Sequence, residues 1–169
     1  MADVDPLTTR WSPDQVEVMH RLRDWAVGFA QLNHHLGEWV GLPVSDANAL
    51  GQIIWAAETG DPLSPARLAR HLGMTTGATT ILLNRLEGAG HIHRSRESAD
   101  RRRVTLRPDP AAREKAQRFL AFAGVEIATT LHTADPAELR AATAFLRKLT
   151  AAISEANQRL DREGPPSPT

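Results

Sequence analysis

SPARLARHLGMTTGATTILLNRLEGAGHIHRSRESADRRRVTLR, residues 64–107, is the stretch whose reading decides the fold. Ser64 offers a side-chain cap and Pro65 a first helical residue whose missing N–H is not needed there, so a helix opens at this point. Leu68, Ala69 and Leu72 make its apolar stripe, and Gly73 ends it. Thr75 and Thr76 then cap a second helix that runs to about Gly88. At 100° per residue, Thr79, Leu82, Leu83 and Leu86 share its inner side, while Gly77, Thr80, Ile81 and Asn84 share the outer one. A two-stranded ribbon follows, with the tip Glu97-Ser98-Ala99-Asp100-Arg101-Arg102-Arg103. Helix, turn, helix and ribbon in that order make a winged helix-turn-helix, whose second helix offers its outer side to a major groove.

Charge supports a nucleic-acid partner. Residues 64–107 hold nine arginines, no lysine and three acids (Glu87, Glu97, Asp100), a surplus of six positive charges. The whole chain is neutral, with 20 basic and 20 acidic residues, so the remainder carries the opposite surplus. A basic run alone is often just a solvated face; directly after a helix-turn-helix pattern it reads as the electrostatic footprint of phosphate contact. Arg94, Arg96, Arg101, Arg102, Arg103 and Arg107 crowd one short ribbon, a density that repels itself unless an anion lies against it. Thr80 and Asn84 sit most squarely on the outer arc and carry hydrogen-bonding ends that reach base edges.

The rest of the chain reads as helical, giving a mainly α fold with one small β-ribbon. Ser12-Pro13-Asp14-Gln15 combines a cap, a first-position proline and a box-like glutamine, and opens a helix reaching about Val40. Its apolar stripe, Val16, Met19, Leu22, Ala26, Phe29, Leu32, Leu36 and Trp39, is nearly as long as the helix and needs a partner surface. A further helix is expected from Ser45 or Asp46 to Thr59, with Leu50, Ile53 and Ile54 inward. After the ribbon, broken by Pro108 and Pro110, one helix is expected over residues 111–131, and Asp135-Pro136 caps a last one to about Leu160. The expected organisation is a disordered start over 1–11, a single domain over 12–162 and a disordered tail over 163–169. Within that domain, 45–108 is the winged helix-turn-helix, and 12–44 and 109–162 are dimerisation helices.

With 169 residues and 41% apolar content, the chain can bury one core. It has no cysteine, which excludes disulfides and thiolate metal sites. No secretory signal and no apolar run of bilayer length is legible, so a cytoplasmic location is expected.

The run over residues 68–80, then Leu82-Leu83-Asn84-Arg85-Leu86-Glu87, Gly90 and Arg94, then Asp100-Arg101-Arg102, resembles the MarR family of bacterial transcriptional regulators. The resemblance is close from about residue 45 to 107 and rests on helix length and order elsewhere. It implies a homodimer on pseudo-palindromic double-stranded DNA, usually a repressor, often released by a small aromatic or phenolic effector. It implies DNA contacts from Thr75, Thr76, Gly77, Thr80, Ile81, Asn84 and Arg85 on the recognition helix. In the wing it implies Arg94, Arg96, Asp100, Arg101, Arg102 and Arg103, with Asp100 holding Arg102 as that arginine enters the minor groove. Two departures stand out: Ile81 occupies a position commonly polar or basic, and Leu106-Arg107-Pro108-Asp109-Pro110 replaces a threonine and glycine before the next helix.

Trp25, Trp39, Trp55 and His35 are the candidate ligand pocket, since they lie where such relatives form a cleft; tryptophan at helical spacing is also ordinary packing. His34 and Glu38 stand four residues apart, a spacing metal sites use, but two ligands make no site and no metal or cofactor is expected. No nucleophile constellation or phosphate loop is legible, so an enzyme is not expected. The alternative is a winged-helix protein-interaction module without specific DNA binding, which would have no use for the arginine-rich wing.

Overall fold

The computed structural model describes residues 5–96 and 104–164. The chain divides into two compact units, Met1–Ala123 and Gly124–Thr169, each described here by itself.

In the first unit, α1 (Pro13–Val40) starts with both halves of the expected capping box. The Ser12 backbone N–H donates to Gln15 Oε1 at 2.8 Å, and the Gln15 N–H donates back to Ser12 Oγ at 3.3 Å. Upstream, Asp5 accepts from the Leu7 N–H and the Thr8 hydroxyl, closing a turn before Ser12. Helix α2 (Val44–Glu58) begins one residue before the expected range. Pro43 precedes it without a side-chain cap, and Ser45 lies inside the first turn, where its hydroxyl donates to Asp46 Oδ1 at 3.1 Å.

Helix α3 (Pro65–Leu72) is capped by Ser64 and ends at Gly73, whose φ of +62° is the left-handed turn that favours glycine. Helix α4 (Thr76–Gly88) is capped by Thr75, whose Oγ1 accepts from the Ala78 N–H at 3.3 Å. Gly90, at φ +73°, swings the chain into the ribbon. Strands β1 (Ile92–Ser95) and β2 (Thr105–Pro108) pair antiparallel with Ile92 opposite Pro108 and Ser95 opposite Thr105. Leu63 extends this pairing by accepting the Leu106 N–H at 2.8 Å.

Helix α5 (Pro110–Ala123) starts where Pro110 sits as its first residue, and Asp109 accepts the Ala111 N–H at 3.0 Å. The proline thus opens a helix as well as closing the strand. The core joins Leu50, Ile53, Leu68, Leu82, Leu83, Leu86, Ile92 and Leu106. A smaller cluster, Leu36, Val40, Ala47 and Phe119, fastens the end of α1 to α2 and α5.

The second unit holds α6 (Val125–Thr133) and α7 (Pro136–Glu163). The single helix expected over 111–131 is therefore two. Gly124 interrupts it at φ −101° and ψ 0°, because glycine lacks the side chain that would favour helical backbone. Asp135 caps α7 by accepting the Ala137 N–H at 2.6 Å. Neither α6 nor α7 has a buried residue, and Phe145, Leu146, Ile153 and Leu160 are exposed. Among the described residues, no helix is long and apolar enough to cross a membrane.

Candidate nucleic-acid interface

Helix α4 is two-sided in the expected way. Thr79, Leu82, Leu83 and Leu86 are buried, and Thr76, Gly77, Thr80, Ile81 and Asn84 are exposed. Four buried side chains anchor the helix rigidly against α2 and α3, so its outer face is held without adjustment of its own. That face is short of hydrogen-bonding freedom. The Thr80 hydroxyl donates to the Thr76 carbonyl at 2.8 Å, and Asn84 Oδ1 accepts from Arg94 Nη2 at 2.9 Å. Ile81 is 65% exposed on the same face.

Among the described residues, Arg85, Arg67 and Arg94 are held by carboxylates. Arg85, expected to face DNA, turns instead to α2: its Nε and Nη2 donate to the two oxygens of Asp46 at 2.5 Å each. Asp46 is wholly buried, so the pair is a strut between α2 and α4. The Arg85 guanidinium holds the Asp46 carboxyl below its ordinary value; burial opposes this and the Ser45 hydroxyl assists it. Arg85 is raised in return by the same hydrogen bond. Arg67 makes a two-point pair with Asp61 at 2.7 and 2.8 Å. Arg94, on β1, pairs with Glu87 through Nη1, and its backbone N–H donates to Glu87 Oε1 at 3.1 Å.

These contacts revise the charge count. Asp46 and Asp61 lie outside residues 64–107 in sequence but return to that segment in space, lowering its surplus from six to four. Arg70 and Arg96 are exposed. Asp100, Arg101, Arg102 and Arg103, and with them the expected hold of Asp100 on Arg102, lie outside the described residues. Thr75 serves as the helix cap, and Gly77 is exposed with open space around its Cα.

The expected ligand-pocket residues do not converge. Trp25 stacks on Phe29 of its own helix at 5.9 Å, Trp39 meets Phe119 and Phe122, and Trp55 is 71% exposed. His35 Nδ1 lies 3.2 Å from Glu38 Oε2, and His34 Nε2 3.6 Å from the same carboxylate. Two clefts in the first unit are lined by other residues. One of about 670 Å³ is bounded by Glu58, His93, Arg107 and Arg113, and one of about 470 Å³ by His20, Arg23, Asp24 and Gln31. Among the described residues, no three acidic, histidine or cysteine side chains gather as a metal site.

Asp46, Asp61 and Glu87 are residues that sequence reasoning missed. Asp46 looked like an ordinary acid in the first turn of a helix, and its partner stands 39 positions away. Glu87 carried more signal: it lies seven residues before Arg94, across a glycine turn that folds the strand back on the helix.

Residues 40–103 match the family model described as MarR family. An uncharacterised helix-turn-helix transcriptional regulator of Bacillus subtilis, YcgE, is 38% identical over 53 residues, 31% of this chain and 34% of that protein. The match thus spans about a third of the relative's length. The Staphylococcus aureus MepR–DNA complex superposes with a TM-score of 0.58 at 18% identity, over 80% of this chain and 95% of MepR. The transcriptional regulator BldR of Sulfolobus solfataricus does so at 0.54 and 22%, over 87% and 99%. At these identities the structural likeness is one of fold. YcgE and BldR are both described as transcriptional regulators.

Proposed function

We propose that this chain, whose residues 40–103 carry the MarR-family signature, is a DNA-binding transcriptional regulator that works as a homodimeric repressor on a pseudo-palindromic operator. The observation that carries the reading is α4: one face is locked into the core, and the other presents Thr76, Thr80, Ile81 and Asn84 beside an arginine-rich ribbon. That combination supplies base-edge contacts from the helix and sequence-independent phosphate contacts from the wing. MepR, which shares the fold, was solved on DNA, and this supports the same use here.

Dimerisation is supported by apolar surface. Helix α1 leaves Val16, Met19, Trp25 and Phe29 exposed, and α7 spans 28 residues without a buried one. Helices this long gain stability chiefly by burying such a face, and a second copy supplies the cover. Release by a small aromatic or phenolic effector rests on a narrower base, the partly exposed cluster of Trp39 with Phe119 and Phe122. The testing experiment is an electrophoretic shift on the DNA upstream of the chain's own gene, against random DNA of equal length. A shift specific to that DNA supports a regulator, and its loss on adding a simple phenolic acid supports an effector. Equal, salt-sensitive binding to both DNAs, or none, overturns the operator reading.

A further inference from the structure

We propose that internal hydrogen bonds fix the sense in which α4 reads base edges, with Asn84 presented as a donor and Thr80 as an acceptor, so that guanine lies under Asn84 in each half-site. This rests on α4 being the DNA-reading helix. A guanidinium has donors only, so the Asn84 atom 2.9 Å from Arg94 Nη2 must be the amide oxygen, whichever way the amide is drawn. Arg94 is itself kept in place by Glu87, which takes both its Nη1 and its backbone N–H. Arg94 takes one lone pair of Oδ1 and holds the plane of the amide, so the two-point contact with adenine N6 and N7, which needs the oxygen as well as the nitrogen, competes with the Arg94 bond. The NH₂ group is free of that competition, and guanine offers it two acceptors, N7 and O6.

Thr80 is biased the other way. Its hydroxyl proton is committed to the Thr76 carbonyl, leaving lone pairs that accept from cytosine N4 or adenine N6. Thr80 and Asn84 stand one turn apart, about 6 Å along the axis, which is roughly two base-pair steps. Ile81 flanks them as an apolar surface suited to a thymine methyl. Arg94 is on this account a positioning residue, acting through Asn84.

The test is selection of binding sites from a randomised duplex pool by the full chain, followed by competition with single-base variants. Asn84→Ala should erase the preference at one position per half-site. The wild-type chain should hold guanine there, with adenine at least about fivefold weaker. Arg94→Met removes the donor and frees Oδ1, so preference at that position alone should move toward adenine. Asn84→Asp, which only accepts, should move it to cytosine. Adenine at that position in the wild-type selection, or guanine unmoved by both Arg94→Met and Asn84→Asp, overturns the proposal and leaves α4 as the reading helix. A pool that yields no enriched sequence overturns the DNA-reading assignment and the proposal with it.

Discussion

Asp46 is the carboxylate on which the joint between α2 and α4 turns. It is fully buried, and both its oxygens are taken by Arg85. Asp46→Asn should cost about 2 kcal/mol in urea unfolding, since hydrogen bonds to a charged group contribute on that order. The same pair sets an acid sensitivity. Because folding lowers the Asp46 pKa, its contribution is present above the unfolded value of about 4 and is lost as pH falls through the lower folded value. Unfolding measured from neutral pH downward should therefore show an acid limb that Asp46→Asn flattens. On the outer face, Thr80→Ala and Asn84→Ala should each cost about 1 to 3 kcal/mol on the best site while sparing random DNA. Equal losses on both in a binding titration would reduce these residues to positioning the protein. Which residues lie on that outer face was legible from helical periodicity. That Arg85 pairs with the buried Asp46 was not, because local spacing says nothing of a partner 39 positions away.

At the scale of elements, the helix starts were the most legible feature. Ser12 with Gln15, Ser64, Thr75 and Asp135 each place a side-chain oxygen where an orphan N–H needs one, a local requirement that one sequence can display. The break at Gly124 was hidden because glycine inside a helix costs only about 1 kcal/mol, and neighbouring contacts often outweigh it. The start of α2 was hidden for a similar reason: it opens behind Pro43 with no side-chain oxygen to signal it. Glu87 and Arg94 tie β1 to α4, so ribbon and helix are held together. Arg102→Ala in the wing should weaken binding across many sequences and lower the slope of log K against log salt by about one. An unchanged slope in a salt titration would remove Arg102 from the phosphate contacts.

For the whole molecule, neutrality conceals polarity along the sequence: residues 64–107 are basic and the rest acidic, and on the proposed function the basic segment is the one drawn to DNA. This was legible by counting, though the spatial return of Asp46 and Asp61 trims it. The apolar residues of α1 and α7 were also legible as stripes, and many of them are exposed, which is what the proposed dimer would cover. Ending the chain after Ala134 should abolish the dimer and tight DNA binding together, as read by sedimentation and by titration; loss of one alone would misplace the interface. The most direct measurement of the central claim is a hydroxyl-radical footprint of the full chain on the best site in the DNA upstream of its own gene. Two α4 helices brought to DNA by a two-fold axis should protect two inverted half-sites about 34 Å apart between centres. A single protected patch, or uniform protection that follows salt but not sequence, would contradict it.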